Sequence, residues 1–313
     1  MKALMLAAST AAFTAVLCLG TAQASPDRPA VCLVMKSLAN EFFKDMSEGA
    51  KEHAAKRGDF DLKLVGMVSE TDFDAQVNAV DTCITEAKDV IVFAPADSRA
   101  MVLPAQRAIK AGIQVVNFDV PLDEAAKKSA GLDLAFVGPD NRSGAKLAGD
   151  VLGKLLGKGG KVVIIEGNPG ADNAKQRKEG FEDSIKEYGL DLLDSRTAHW
   201  ETEEANSVFT NMLTAHPDIQ GVMAANDSMA LGVVKAIESA GLTGKIQVVG
   251  FDNIPAVRPL IKEGKLLATV DQFGREMAAN AIDRGIDALK TGKKLEGWVR
   301  TDIELVTKDN VKP

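Results

Sequence analysis

From Ala30 onward, short apolar runs alternate with longer stretches in which apolar side chains recur every three or four positions. Val31, Leu33, Val34 and Met35 open the series as a nearly unbroken apolar run. That pattern suits a parallel strand covered on both faces, not a half-exposed alternating one. The polar turn after it carries Lys36 and Asn40, and Phe42 and Phe43 then start a helix over Glu41 to Arg57. Adjacent helical positions point about 100° apart, so one of the two rings is expected to face a ligand, the alternative being that both pack the helix start against the sheet. Strands are predicted near Asp61 to Met67, Val90 to Ala94 and Gln114 to Phe118, with helices over Asp72 to Ala87 and Ser98 to Ala111 between them. Thr71-Asp72 and Asp97-Ser98 supply N-terminal caps, and Gly112 a left-handed C-terminal one.

After a loop from Pro121 to Leu132 the design repeats. Strands are predicted at Leu134 to Gly138, Lys161 to Ile165, Leu190 to Thr197, Gly221 to Ala224 and Ile246 to Gly250. The intervening helices span Arg142 to Leu156, Ala174 to Tyr188, Glu203 to Ala215 and Ser228 to Ala240. This is repeated βα winding in two units, an α/β chain with doubly wound parallel sheets. Four more elements follow Phe251: helices Pro255 to Glu263 and Gly274 to Leu289, and strands Leu266 to Val270 and Arg300 to Val306. The second unit does not need them all, so part of this segment is expected to return to the first.

The 313 residues, 46% hydrophobic and 26% charged, suit about two domains. Residues 1–24 stand apart: Lys2 precedes an apolar run from Ala3 to Gly20, and Ala22-Gln23-Ala24 has the small-x-small form of a signal-peptidase site. The run is short for a membrane span, so a cleaved signal peptide and a mature chain beginning near Ser25 are expected. Loss of Lys2 takes the formal charge of −7 to −8, with acidic residues dispersed, which argues against a nucleic-acid partner. Cys32 and Cys83 remain; an even number in an oxidising compartment allows one disulfide, and two buried small hydrophobes are the other assignment.

Catalytic and cofactor machinery is hard to find. Gly157-Lys158-Gly159-Gly160-Lys161 follows a helix and precedes a strand, the reverse of a phosphate loop, and is expected to be a helix-ending turn. Glu166-Gly167-Asn168-Pro169-Gly170 follows a strand without nucleotide-loop spacing and is assigned to a ligand-side turn. No HExxH, CxxC or GxSxG occurs, and His53, His199 and His216 are scattered. No cofactor or metal is implied. What does accumulate is a set of side chains at strand carboxyl ends, where open α/β sheets hold their ligands. They are Lys36 and Asn40, Asp97, Asp119, Asn173 with Lys175, Asn226 and Asp227, Phe251-Asp252, and Gln272. Carboxylates and amides interspersed with Phe42, Phe43, Trp200 and Phe251 suit a polyhydroxylated ligand, whose hydroxyls need donors and acceptors and whose C–H faces sit against rings. Taken singly, Asp97 and Asp227 are as well explained as helix caps.

SLANEFF, NFDVP, AFVGPDNRSG (Ala135 to Gly144), IIEGNPG, LTAHPDIQGVMAANDSMALG, VVGFDNIP and LATVDQ together resemble the periplasmic sugar-binding proteins of ABC importers, of the ribose- and allose-binding type. The resemblance spans nearly all of the mature chain. It implies two lobes joined by a three-crossover hinge, with the ligand in the cleft between them. One lobe is then expected over residues 25–138 plus 273–301 and the other over 139–272 plus 302–313. The ligand positions it implies are Asn40, Phe42, Phe43, Asp119, Trp200, Asn226, Phe251, Asp252 and Gln272, with Lys36 as in the allose-type branch. Val120 stands where the ribose type has an arginine, and Lys175 where an arginine is usual. Since lysine lacks the arginine fork, the two departures favour an allose-like hexose or a linear sugar alcohol over ribose.

The function expected is therefore that of a monomeric periplasmic receptor. It would bind a neutral monosaccharide or sugar alcohol by lobe closure and pass it to ABC permease subunits, with a chemoreceptor as a further candidate partner. A repressor built on the same core would need a DNA-binding segment where the secretion signal stands. The remaining alternative is a secreted carbohydrate-active enzyme using Asp119 and Asp252 as its carboxylate pair.

Overall fold

The computed structural model describes residues 28–312; the signal segment, residues 1–24, lies outside the described residues. Strand β1 (Ala30–Ser37) is hydrogen-bonded on both sides, and Val31 to Met35 are fully buried. Alternate residues feed opposite layers. Val31, Leu33 and Met35 join Phe43 and Met46 of α1 (Glu41–Arg57), whereas Cys32 and Val34 join Val80 and Cys83 of α2 (Phe73–Thr85). The unbroken apolar run thus follows from helices on both faces.

The first sheet also contains β2 (Asp61–Met67), β3 (Val90–Phe93), β4 (Gln114–Phe118), β5 (Phe136–Gly138) and β11 (Trp298–Arg300), in the order β11-β5-β4-β3-β1-β2. The second sheet comprises β6 (Lys161–Glu166), β7 (Asp191–Thr197), β8 (Gly221–Ala224), β9 (Gln247–Val249), β10 (Ala268–Asp271) and β12 (Glu304–Thr307), in the order β12-β10-β9-β8-β6-β7. Every pairing is parallel except that of β10 with β12. The winding direction reverses between β1 and β3 and again between β6 and β8, the switch points beside which doubly wound sheets hold ligands.

Three local expectations change. The predicted strand from Arg300 to Val306 is two strands: β11 pairs with β5, residues 301–303 leave the first sheet, and β12 joins the second. The stretch from Pro121 to Leu132 contains a short helix, α4 (Glu124–Ser129), whose N-cap Asp123 accepts from the Ala126 N–H at 2.8 Å. Helix α3 (Val102–Lys110) starts later than expected, because Asp97 caps a separate turn through the Arg99 and Ala100 N–H groups. The chain passes between the sheets after β5, after β10 and after β11; α10 (Gly274–Thr291) lies between the last two passages and packs on α1.

Cys32 and Cys83 meet in the layer between β1 and α2 and are joined, with Cα atoms 6.3 Å apart and a sequence separation of 51. Closing a loop of that length removes about 4 kcal/mol of unfolded-chain freedom in the chain-entropy model. The Cys32→Ala/Cys83→Ala variant should therefore lose about 2–4 kcal/mol in urea unfolding, and the parent should resist alkylation without reductant. Full alkylation with an unchanged urea midpoint would leave two buried thiols instead.

Candidate ligand-binding site

The carboxyl ends of the two sheets face one another across a narrow cavity. Lys36 at the end of β1, Asn40, Phe42 and Phe43 at the start of α1, and Asp119 after β4 line it from the first sheet. Asn173 and Arg177 of α6 (Asp172–Tyr188), Trp200 after β7, Asn226 after β8, Asp252 after β9 and Gln272 after β10 line it from the second. Segments of the two sheets also touch around this cavity. Ser98 N donates to the Gly170 carbonyl at 2.9 Å, Asp172 N to Ser98 Oγ at 2.9 Å, Glu70 N to Glu201 Oε1 at 3.3 Å, and Ser228 Oγ to Asn40 Oδ1 at 3.3 Å. The conformation is closed.

Ten of the twelve sequence-predicted ligand positions are brought together here, and two are not. Lys175 points to solvent, its side chain 71% exposed. On α6 the residues facing the cavity are Asn173 and Arg177, four apart and so on one face; Lys175, two from each, falls on the other. The arginine expected in this region is therefore present as Arg177, not replaced by a lysine. Phe251 is fully buried behind the cavity, its ring 3.7 Å from the Arg177 guanidinium carbon, and supports that guanidinium from beneath. The departure assigned to Val120 also loses its meaning: Asp119 adopts φ 63°, the chain turns, and Val120 returns to the hydrophobic core. Nor does only one of the adjacent rings face the cavity; Phe42 and Phe43 both do, edge to face at 5.2 Å, because the cavity wraps around the first turn of α1.

Rigid local structure fixes each donor and acceptor. Asn40 caps α1 through Oδ1 on the Phe42 N–H at 3.0 Å and donates from Nδ2 to Glu70 Oε1 at 2.7 Å. Lys36 Nζ lies 2.8 Å from Glu70 Oε2 and is flanked by the Phe43 and Trp200 rings at 5.2 and 5.1 Å. Arg177 donates from Nε to Asn141 Oδ1 at 2.9 Å and from Nη1 to the Ala225 carbonyl at 2.9 Å, with Asp252 Oδ1 at 3.4 Å. Gln272 Nε2 holds the same Asp252 oxygen at 2.7 Å. Asn226 caps α8 (Asp227–Ser239) on the Met229 N–H at 2.9 Å. Asp97 and Asp227 are structural: Asp97 caps its turn, and Asp227 accepts from Thr269 Oγ1 and the Ile254 N–H.

Asp119 (φ 63°), Trp200 (φ 72°) and Asp252 (φ 118°) occupy backbone regions that side chains disfavour, at about 1–3 kcal/mol each. All three line the cavity. The Trp200 indole lies across Gly167, where a Cβ would stand 2.1 Å from the ring, so the turn assigned to the ligand side must be glycine at that point. Four buried polar atoms of the lining have no partner: Asp119 Oδ1, Asn173 Oδ1, Trp200 Nε1 and Gln272 Oε1. Groups left unpaired in a protein interior cost about 1–3 kcal/mol apiece unless something bonds to them.

Sequence reasoning missed two contributors, Arg177 and Glu70. Glu70 follows β2 as the other site residues follow their strands, but the capping signal of Thr71-Asp72 masked it. Arg177 lies one helical turn beyond Asn173, and that spacing could have found it.

Such a cavity between two doubly wound sheets is that of a two-lobed solute-binding protein. The sequence profile of the periplasmic binding protein domain matches residues 31–294, and the chain belongs to that family. It is 42% identical over 287 residues to the D-ribose/D-allose-binding protein of Pseudomonas aeruginosa, covering 90% of each chain. It is 33% identical over 278 residues to the ribose import binding protein of Salmonella typhimurium, covering 89% of this chain and 90% of the relative. The crystal structure of an ABC transporter periplasmic solute-binding protein from Actinobacillus succinogenes with bound D-allose superposes with a TM-score of 0.85 at 40% identity, covering 90% of this chain and 98% of that one.

The closed cavity holds its carboxyls in an unusual state. Burial raises Asp119 to about 6 despite Lys36 and Arg177, and raises Asp252 to about 7 despite Arg177. Both values exceed the 3.8 of a solvated aspartate, so the closed form holds protons that an open or unfolded form releases. The associated stability is fully present below about pH 4 and is lost as pH rises to about 7, each carboxyl giving up about 1.4 kcal/mol for every pH step between its two values. Ligand-free protein should therefore be more compact in small-angle scattering at about pH 5 than at about pH 8, and Asp119→Asn or Asp252→Asn should flatten that slope. The same slope in parent and variants would show that these carboxyls are solvated.

Proposed function

We propose that this chain is the sugar-capturing receptor of an ABC importer, closing two lobes around one neutral monosaccharide in the periplasm. The observation that carries the proposal is the set of four unpartnered buried atoms converging, from both sheets, on a cavity walled by aromatic rings. Ring hydroxyls would bond to Asp119 Oδ1, Asn173 Oδ1 and Gln272 Oε1, an acceptor on the sugar would take the Trp200 Nε1 hydrogen, and the C–H faces would rest on Phe43 and Trp200.

The choice among sugars changes once Arg177 replaces Lys175 in the site and Val120 leaves it. An arginine fork is available after all, and the case against ribose that rested on those positions falls. The names of the relatives support D-allose and D-ribose as the first ligands to test, with sugar alcohols after them. Asp119 and Asp252 act here as fixed hydrogen-bond acceptors, not as a hydrolytic pair. Asp252 is already held by Arg177 and Gln272, and the family's role is solute binding. Delivery would fall to separate permease subunits, which would read the closed shape.

Isothermal calorimetry should find D-allose or D-ribose bound without turnover. Asp119→Ala and Asp252→Ala should each weaken binding by about 2–4 kcal/mol, because ligand hydroxyls lose a charged acceptor. Near-parental affinity in both variants would move the site elsewhere. Because the cavity draws residues from both sheets, saturating sugar should reduce the radius of gyration in small-angle scattering. An unchanged radius would argue against lobe closure.

A further inference from the structure

Glu70 is completely buried, yet it does not itself line the cavity. It stands behind two residues that do. Oε2 meets Lys36 Nζ at 2.8 Å, and Oε1 accepts from Asn40 Nδ2 at 2.7 Å. The Lys36 ammonium is thus matched by a carboxylate on one side and flanked by the Phe43 and Trp200 rings. The other charged groups around the cavity are Asp119 on the first sheet and Arg177 and Asp252 on the second. With Glu70 the inventory is three carboxyl groups against two cations; without it the numbers are equal, and Lys36 has no anionic partner of its own.

We propose that Glu70 is a positioning residue that sets the charge specificity of the cavity: by compensating Lys36 it reserves the site for uncharged ligands and excludes anionic ones. An ammonium held in a desolvated cavity attracts an anion strongly, because little water screens it and a buried unpaired charge is costly. A carboxylate 2.8 Å behind it removes that attraction, while its second oxygen fixes the Asn40 amide. An anion entering this cavity would meet an ammonium already paired with Glu70 instead of a free cation. The ligand class named here rests on the sugar-receptor proposal, but the pairing of Glu70 with Lys36 does not.

The experiment compares the mature protein with Glu70→Gln, Lys36→Met and Lys36→Met/Glu70→Gln. In the first arm, melting temperature is followed in sodium sulfate against sodium chloride at equal ionic strength. Glu70→Gln should gain more from sulfate than the parent or the double variant, by about 3 °C or more, as expected for an anion held well above its dissociation constant. The second arm measures D-allose, D-ribose and D-glucuronate by calorimetry. The parent should reject the uronate, and Glu70→Gln should narrow the ratio of neutral-sugar to uronate affinity by about tenfold or more. Should Glu70→Gln fail to fold, the comparison passes to the other two variants: Lys36→Met strands Glu70, so adding Glu70→Gln should restore neutral-sugar binding. Equal sulfate responses with an unchanged affinity ratio, or no recovery in the double variant, would overturn the proposal. If the parent bound none of the sugars, the sugar-receptor proposal would fall, and the sulfate arm would still decide the role of Glu70.

Discussion

Charged groups taken out of water must find partners, and that constraint organises the cavity. Lys36, Glu70, Asp119, Arg177 and Asp252 are all nearly or fully buried around one space. A single ion in such a setting would be strongly disfavoured, and even a matched pair recovers its desolvation cost only with good geometry and additional hydrogen bonds. The structure supplies those bonds locally. Asn40 completes Glu70; Asn141 and the Ala225 carbonyl complete Arg177; Gln272 completes Asp252. Asp119 has no such side-chain partner: its Oδ1 is unbonded and the group is pushed toward its neutral form by burial. Incomplete pairing, here and at Asn173, Trp200 and Gln272, is what a binding site needs, since a ligand can contribute only where the protein has left something unsatisfied.

The backbone shows the same division of labour. Asp119, Trp200 and Asp252 each follow a strand end and each sit at positive φ, which turns the side chain back over the end of the sheet toward the opposite lobe. Such conformations persist where surrounding structure over-determines them. Here the following residues supply the anchor: Val120 packs into the core after Asp119, and Asp252 N bonds the Val270 carbonyl at 2.7 Å. Strain and unsatisfied polarity are therefore concentrated in the same few residues, within an otherwise regular pair of sheets.

Much of this is legible in the sequence because parallel strands advertise themselves. The fully apolar stretches at Val31, Val90, Val162 and Val222 mark strands buried on both faces, and the rule that ligands lie at their carboxyl ends then points at ten of the lining residues. What is lost follows from the limits of that rule. It stops at the strand end and does not carry the periodicity of α6 one turn on from Asn173 to Arg177, so it selects Lys175, which faces solvent. The positive φ at Asp119 cannot be read from an aspartate, and without it Val120 reads as a cavity wall. The division of residues 298–307 between two sheets depends on which edge strand is free to receive them. That is a property of the assembled fold and not of the segment.

That division bears on how the lobes could move. Three strand-end segments connect the sheets, and they are close together: Thr301 N bonds the Gly138 carbonyl at 3.1 Å, Trp298 Nε1 bonds it at 2.9 Å, and Phe273 borders the same groove as Arg300 and Thr301. A single linker would let two lobes swivel and slide. Three adjacent ones permit bending about their common line and little else, since translation would stretch one against another. Hinges of this kind absorb their change in a few backbone torsions, and Phe273, at φ 52° on the second passage, already occupies an uncommon one. Closure would then be nearly one-dimensional. Direct hydrogen bonds between the sheets are few and mostly at the rim, so a ligand bridging Asp119 on one side and Asn173, Trp200 and Gln272 on the other would add a comparable number of bonds at the centre. Its contribution of a few kcal/mol is of the size needed to move such an equilibrium from mostly open to mostly closed.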